Sequence, residues 1–279
     1  MGKHRLAGIG EKLDRACEQL ENFNEEWGWF LNDEKPYTVA FKYGVDTDQN
    51  LVVKPTFGVS KDPPLRLSVL AGEIVHNIRS ALDHLACELI EAHGQRPIRR
   101  TAWPIALDEP SWVQRVEWPK DRCGRSVRGP LHGLDRRTDA WAYVKRAQPY
   151  QCGEAGARRH PLAELNRLSN ADKHSIIHMA YVYPSLSVYD MFRFNPAAFL
   201  YARTLLNAGQ PLKDDTAIAV FTFDPRGPHP NMNVKRELPF DIALGDIAEG
   251  AEKGRGDASL ADIRNWVARI VNDCRIWTG

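Results

Sequence analysis

The amino-acid sequence predicts an α+β protein in which a helical bundle surrounds one long central helix, with a β-hairpin after the first helix and additional antiparallel strands in the C-terminal half. Three observations lead to this fold class. Residues 62–93 keep one apolar side at helical spacing. Two runs rich in β-branched and aromatic residues flank a turn before that segment, and extended runs recur after residue 178. A chain of 279 residues can bury one large core, and we expect a single composite domain over residues 1–279.

Residues 1–95 should form a helix, a hairpin and the long helix in turn. The first helix is predicted within residues 11–31, where the apolar positions are Leu13, Ala16, Leu20 and Phe23. The runs 37–45 and 51–59 are separated by the turn-forming segment DTDQN, which predicts a hairpin. Because proline lacks the N–H that a central strand needs, Pro55 predicts that the second strand lies at an edge.

The long helix has start and stop signals in the sequence. Asp62 can cap free backbone N–H groups, and Pro63 and Pro64 are tolerated in a first helical turn. Gly94 can adopt the left-handed conformation that ends a helix after His93. The helix should be roughly 45 Å long, which makes it the element around which the other helices pack.

The long helix carries two different sides. With about 100° of rotation per residue, six aliphatic side chains fall on one side that must face a core: Ile74, Val75, Ile78, Leu82, Leu85 and Leu89. The opposite side carries a polar stripe of Glu73, Asn77, Ser80 and His84, flanked by His76 and Asp83. Solvated faces are normally filled by long Lys, Glu and Arg side chains, whereas this one uses short polar and titratable groups. We interpret the stripe as facing a functional or dimeric polar cleft, with a plain solvated face as the alternative.

Residues 96–160 form a basic, loop-rich segment. It holds fourteen Lys and Arg against seven Asp and Glu, which is a local charge of +7 in a chain with a formal net charge of +1. Short helices are predicted at 112–116 and near 136–147. The arginines indicate either a nucleic-acid footprint or a solvated basic surface. The tryptophans among them would either stack bases or pack in the core: Trp103, Trp112, Trp118 and Trp141.

Residues 161–279 should contain a helix, several strands and a closing helix. Within 161–178 we predict a helix that breaks at Ser169–Asn170 and restarts, because Ser169 and Asp172 fit a capping box. Extended segments are predicted at 179–183, 187–194, 216–224 and 232–240. Residues 259–277 have the spacing of an amphipathic closing helix.

Cysteine usage and hydropathy indicate the compartment. The five cysteines are odd in number, widely spaced and without a CxxC pair, so neither a disulfide framework nor a structural zinc site is indicated. Residues 1–20 lack the apolar core of a signal peptide, and no later run is apolar enough to span a bilayer. We therefore expect a cytoplasmic protein with no membrane partner and no cofactor.

Five segments resemble the successive blocks of an uncharacterised bacterial protein family: WGWFLNDEKPY (27–37), GEIVHNIRSALDHL (72–85), WPI (103–105), QPY (148–150) and LNRLSNADKH (165–174). The resemblance implies no known activity, but it implies that Asn170, Asp172, Lys173 and His174 belong with the long helix in one site. At the predicted helix restart, free N–H groups and the helix dipole would favour an anion. A capping box beside a surface lysine is the alternative.

A second resemblance is carried by the run RSALDH (79–84), which fits the R-x4-6-H pattern. It is similar to the HEPN superfamily, helical-bundle proteins that include many metal-independent ribonucleases of toxin–antitoxin and phage-defence systems. The resemblance implies that His84 is the general acid/base of RNA cleavage, that Arg79 holds the scissile phosphate, and that the protein is a homodimer. Ser80 departs from the pattern, because active members commonly have Asn, Asp or His after the arginine.

The leading functional hypothesis is a metal-independent ribonuclease that cleaves RNA by attack of a 2′-hydroxyl. His84, supported by the polar stripe, would take the hydroxyl proton, while Arg79 and Lys173 would stabilise charge on the phosphoryl group. His76 is the candidate for the complementary acid. It lies about 12 Å from His84 along the helix axis, so a homodimer would be needed to bring two such groups to one phosphate.

Two alternatives stay open at this stage. A metal-binding helical-bundle hydrolase or oxidase is indicated by Glu73-x-x-His76, an element of di-iron bundles, and by His174-x-x-x-His178, a spacing that can ligate one metal. A non-catalytic nucleic-acid or ligand-binding module would need the same polar cleft and basic surface but no poised acid/base.

Overall fold

The structure is a computed structural model, which describes residues 6–174, 179–184, 192–205, 214–234, 240–244 and 259–278. Within these residues it contains eight helices and antiparallel strands, so the predicted α+β class is confirmed. In the same part of the chain, none of the helices combines the length and the apolar character that crossing a bilayer requires.

The chain divides into two compact units. The helical unit comprises Met1–Asn24, Ser68–Ile177 and Gly256–Gly279, and the sheet unit comprises Glu25–Leu67 and His178–Arg255. The expectation of one composite domain stays a prediction. The helices are α1 Ala7–Trp29, α2 Leu65–Ala92, α3 Glu109–Trp112, α4 Asp139–Arg146, α5 Gly153–Arg159, α6 Pro161–His174, α7 Leu260–Asp273 and α8 Arg275–Thr278.

Helix α2 is the long helix that the sequence predicts, with 28 residues. All six aliphatic side chains that were expected to face a core are fully buried: Ile74, Val75, Ile78, Leu82, Leu85 and Leu89. Burying a side chain of this size stabilises a fold by about 1.5–3 kcal/mol. The apolar side of α2 is therefore a principal source of cohesion in the helical unit.

Helix α6 runs without interruption from Pro161 to His174, so the predicted break at Ser169–Asn170 is wrong. Ser169 is buried, and burial within a continuous helix outweighs its local preference for a capping position. The helix begins after His160, whose Nδ1 accepts a hydrogen bond from the backbone N–H of Leu162 at 3.1 Å. Residues 169–174 consequently lie at the C-terminal end of α6, where the helix dipole is negative. The expected anion site at a helix start is therefore absent from this segment.

The His160 cap makes the stability of the helical unit depend on pH. Burial lowers the pKa of His160 below its ordinary value of 6.5. The unfolded chain therefore takes up the proton first, and the free energy of unfolding should fall as the pH drops below about 6.5. A protonated imidazole has two N–H donors and no acceptor left for Leu162.

We expect urea unfolding between about pH 7.5 and 5.5 to show this loss, which for one group is at most about 1.4 kcal/mol per pH unit. The matched variant is His160→Asn, which keeps a capping acceptor and removes the titration. In this variant the free energy of unfolding should lose the part of its pH dependence that the titration of His160 causes. Identical pH profiles for the two proteins would refute the assignment.

The sheet unit contains the antiparallel strands. Their bounds are β1 Tyr37–Val45, β2 Leu51–Val59, β3 Met179–Pro184, β4 Phe192–Arg193, β5 Leu200–Leu205, β6 Thr216–Ala217, β7 Ala219–Phe223, β8 Asn233–Val234 and β9 Phe240–Leu244. The main sheet has the order β1-β2-β7-β5, with β6 also paired to β2, while β3 pairs with β9 and β4 with β8. The predicted hairpin is confirmed in both strands and in its antiparallel pairing. Residues 187–191 and 235–239 of the predicted extended segments lie outside the described residues.

Strand β2 is central rather than at an edge, so the expectation based on Pro55 is wrong. On one side β2 pairs with β1, and on the other side it pairs with β7 through Val53 and with β6 through Thr56. Pro55 lies between these two ladders, where its carbonyl accepts a hydrogen bond from the N–H of Ile218 at 2.8 Å. Proline is tolerated here because an interruption of the ladder removes the need for its missing N–H.

Candidate functional site

A polar cavity of about 640 Å³ lies in the helical unit, against α2. Three helices contribute to it, and the part of α2 involved is the N-terminal half of the polar stripe. The lining residues are Arg15 and Gln19 from α1, Ser68, Val69, Gly72, Glu73, His76 and Asn77 from α2, and Asp172 and Lys173 from α6. The α2 residues recur at intervals of three and four, which places them on one helix face.

The structure thus brings together five of the residues that the sequence singles out. Glu73 and Asn77 of the stripe, together with the flanking His76, line the same cavity as Asp172 and Lys173 of the LNRLSNADKH block. Asn170 is an exposed residue one turn before Lys173. His174 ends α6, while its side chain, like the whole of His178, lies outside the described residues.

A buried amide forms one wall of the cavity and links α1 to α2. The Gln19 side chain donates from Nε2 to Oε2 of Glu73 at 2.7 Å and accepts at Oε1 from Nδ2 of Asn77 at 2.9 Å. Gln19 is only 4% exposed, so both ends of its amide need these partners. The network holds Glu73 and Asn77 in fixed positions on the face of α2.

Gln19 is a site residue that the sequence analysis did not identify. The predicted apolar stripe of α1 included Leu20, whereas the structure buries Gln19 at that point between Ala16 and Phe23. The spacing from Ala16 to Gln19 and on to Phe23 is three and then four, which is the spacing of a core position. A single amide in an otherwise apolar stripe is the signal that could have revealed it.

Gly72 gives the Asp172 carboxylate room to approach α2. A Cβ atom at position 72 would lie 2.3 Å from Oδ1 of Asp172 and 3.2 Å from its Cγ. Glycine in the interior of a helix costs roughly 0.5–1 kcal/mol relative to alanine. The contact with Asp172 is a physical reason for a glycine at this point of the longest helix.

The charged groups of the cavity are balanced. Arg15 and Lys173 supply two cations, Glu73 and Asp172 supply two carboxylates, and His76 adds an imidazole. Glu73, His76, Asp172 and Lys173 are exposed residues, so a ligand can reach them from solvent. Arg15 also forms an exposed ion pair with Glu18 at 2.8 Å, which is too weak to prevent it from turning to an anionic ligand.

Arg79 lies outside the lining of this cavity and forms a clamp with Asp83. Its Nη2 donates to the backbone carbonyl of Trp103 at 2.8 Å and lies 2.8 Å from Oδ1 of Asp83. Oδ1 of Asp83 also accepts from the backbone N–H of Trp103 at 3.0 Å. Arg79 and Asp83 therefore hold the WPI segment against α2 by binding both the backbone carbonyl and the backbone N–H of Trp103.

The remaining stripe residues lie farther along α2. His84 is exposed and Ser80 is half-buried, and within the described residues the cavity lining includes neither of them. The roles that the HEPN resemblance implies for Arg79 and His84 stay predictions. What the structure adds is that the guanidinium of Arg79 already has two protein partners.

The four tryptophans of the basic segment differ in burial. Trp103 and Trp112 are fully buried and Trp141 is 6% exposed, whereas Trp118 is 63% exposed. Packing in the core is therefore the role of three of them. Trp118 is the member of this set that solvent can reach.

The described residues contain no group of three or more His, Cys, Asp or Glu side chains placed to hold a metal ion. Comparisons of the chain with protein-family models, with curated proteins and with solved structures found no match.

Proposed function

We propose that the protein is a cytoplasmic, metal-independent ribonuclease and that the cavity on α2 binds the scissile phosphodiester of a single RNA strand. One observation carries this proposal: His76 lines the same open cavity as the cations Lys173 and Arg15, beside the fixed Gln19 network. An imidazole is the side chain that most often serves as the general acid or base of an enzyme.

Each group has a role in the proposed reaction. His76 takes the proton of the 2′-hydroxyl as that oxygen bonds to phosphorus, and Lys173 and Arg15 stabilise the charge that develops on the phosphoryl oxygens. The bond from phosphorus to the 5′-oxygen breaks, this oxygen takes a proton from water, and the hydroxide that remains takes the proton held by His76. The products are a 2′,3′-cyclic phosphate and a free 5′-hydroxyl.

The balance of charge favours a nucleotide over a simple polyanion. Two carboxylates in the same cavity would repel a ligand with several negative charges. A phosphodiester carries one charge, and the hydroxyls of its ribose can donate to Glu73 or Asp172. RNA presents both groups together, and DNA lacks the 2′-hydroxyl.

Incubation of the purified protein with a labelled single-stranded RNA, with and without a chelator, tests the proposal. We expect cleavage that leaves 2′,3′-cyclic phosphate ends and that persists in the chelator. A matched strand with 2′-deoxyribose should resist. The absence of cleavage, or equal cleavage of the deoxy strand, would refute the proposal, and loss of cleavage in the chelator would favour the metal-dependent alternative.

The Gly72 contact offers a separate test of the cavity. In Gly72→Ala the new methyl group displaces the Asp172 carboxylate, and misplacing a site group by about 1 Å can lower a rate by about tenfold to a hundredfold. The free energy of unfolding should stay the same or rise by up to about 1 kcal/mol, because alanine favours a helix and the end of a side chain can rotate. RNA cleavage and urea unfolding measure the two effects.

The matched control is Gly8→Ala in α1, where an added Cβ meets no atom within 4 Å. It should change stability in the same direction without lowering the rate of cleavage. Unchanged cleavage by Gly72→Ala would remove Asp172 from the site.

A non-catalytic RNA-binding module is the second candidate. It is favoured by the clamp, because Asp83 and Trp103 already engage the arginine that the HEPN resemblance assigns to the phosphate. The leading proposal includes a homodimer that pairs the part of α2 carrying the exposed His84. His84 lies about 12 Å from His76 along the helix, so only a second copy could bring its imidazole to the same phosphate, where it would replace water as the proton donor.

A further inference from the structure

Trp118 presents one open aromatic face in the basic segment. The guanidinium carbon of Arg136 lies 4.3 Å from the centroid of the Trp118 ring, so a cation covers one face of the indole. The residue is nevertheless 63% exposed, which leaves the other face to solvent. An aromatic ring backed by a cation is an arrangement on which an unpaired nucleobase stacks.

Arg136 is held behind the ring by groups that are themselves fixed. Its Nη2 donates to the backbone carbonyl of Glu117, and its guanidinium lies 5.7 Å from the centroid of the buried Trp141 ring. The Glu117 carboxylate accepts from Nζ of Lys145 at 2.9 Å and from Nε1 of Trp112 at 2.8 Å. The stacked pair is thus preorganised, which reduces the entropy lost on binding.

The chain after Trp118 forms a loop that folds back on itself. The N–H of Val127 donates to the carbonyl of Pro119 at 2.9 Å, and Lys120 pairs with Ser126 in an antiparallel bridge. Gly129 permits a close return, because a Cβ there would lie 3.1 Å from Cγ of Pro119. The basic residues of the loop are therefore kept near the indole.

The exposed charge around Trp118 is positive. Lys120, Arg122 and Arg128 are exposed, while the nearby carboxylates are already engaged. Nε of Arg125 pairs with Asp121 at 2.9 Å. Burial tends to raise the pKa of Glu117, but hydrogen bonds from Lys145 and Trp112 hold this pKa below its ordinary value.

We propose that Trp118 and Arg136 form a stacking platform for a base of single-stranded RNA, and that Lys120, Arg122 and Arg128 hold the flanking phosphates. The platform rests on the proposed ribonuclease function for the identity of the nucleic acid as RNA, and it assigns a substrate-binding surface to that function. A duplex cannot use the indole, because its bases are stacked within the helix. The partner is therefore an unpaired strand.

Fluorescence anisotropy with a labelled 2′-O-methyl oligouridine tests binding apart from cleavage, because the blocked hydroxyl cannot attack phosphorus. We expect Trp118→Ala to weaken binding about tenfold and Trp118→Phe to retain most of it. The matched control is Trp29→Ala, which removes another exposed tryptophan, 55% exposed, outside the basic segment. It should bind as the wild type does.

A labelled RNA duplex and a poly-glutamate peptide are the comparison ligands. Both should bind through charge alone, so Trp118→Ala should leave their affinities unchanged, and Arg122→Ala and Arg128→Ala should reduce the salt dependence of binding. Equal affinity of wild type and Trp118→Ala for the oligouridine would overturn the platform. An equal loss for poly-glutamate would show that the surface binds acidic protein instead of bases.

The outcomes separate the platform from the cavity. His76→Ala should lower the rate of cleavage by about a hundredfold to ten-thousandfold, and adding Trp118→Ala should weaken binding of the oligouridine about tenfold in this variant as in the wild type. Stacking at Trp118 in a protein that never cleaves RNA would refute the ribonuclease and leave the platform intact. If the protein cleaves RNA and Trp118→Ala leaves its affinity for the oligouridine unchanged, the platform is refuted and the ribonuclease stands.

Discussion

Replacing His76 by Ala should lower the rate of RNA cleavage by about a hundredfold to ten-thousandfold, which is the usual cost of losing a general acid or base. The protein should stay folded, because His76 is exposed on the polar side of α2 and its removal leaves no cavity in the core. Single-turnover cleavage of a labelled RNA strand measures the rate, and circular dichroism with urea unfolding measures the fold.

Comparison with His84→Ala distinguishes the cavity from the R-x4-6-H motif. If the cavity carries the reaction, the loss in His76→Ala should exceed the loss in His84→Ala. The opposite order would transfer the reaction to the motif that the HEPN resemblance singles out. His132→Ala, at an exposed histidine outside both, is the matched control and should cleave at the wild-type rate.

The second large effect is expected on stability, at the clamp between α2 and the WPI segment. Asp83→Ala removes the acceptor of the Trp103 N–H and the partner of Arg79 in one step. Trp103 is fully buried, so its N–H would be left without an acceptor. We expect the free energy of unfolding to fall by about 2–4 kcal/mol, measured by urea denaturation.

Two further variants serve as controls for this measurement. Asp83→Asn keeps an oxygen for the Trp103 N–H and should lose less stability than Asp83→Ala. Glu18→Ala breaks an exposed helical ion pair with Arg15 and should cost about 0.5 kcal/mol or less. If Asp83→Ala were as mild as Glu18→Ala, the clamp would contribute little, and Arg79 would be available for another role.

The clamp also bears on the meaning of the motif. Arg79 and Asp83 are four residues apart, which is the spacing of a helical ion pair as well as part of the R-x4-6-H pattern. The pattern alone therefore fits either a structural or a catalytic arginine. The contact of Arg79 with Trp103, 24 residues farther along the chain, favours the structural role.

Local patterns in the sequence were sufficient for most of the framework. The apolar spacing of α2, the start and stop signals around it, and the alternation in residues 37–59 depend on neighbours within a few positions. The structure has these elements within a few residues of the predicted bounds. The strands β5 and β9 were missed because they carry fewer β-branched and aromatic residues than β3 and β7, strands of the same lengths that were predicted.

Contacts between distant segments decided the rest. Gln19 became part of the cavity through partners 54 and 58 residues away. Gly72 is explained only by the approach of Asp172, and Pro55 occupies a central strand only because β6 and β7 meet beside it. Likewise, Ser169 would favour a helix start in isolation, yet burial keeps it inside α6.

The sequence by itself determined the class of fold, the long helix and the face of that helix on which polar chemistry is placed. The tertiary structure decided which part of the polar face borders a cavity, that His76 lies in it, and that Arg79 instead clamps the WPI segment. The physical reason is one of range. Helical and strand periodicity act between neighbours, whereas a cavity exists only where side chains remote in the chain fail to fill the space between packed helices.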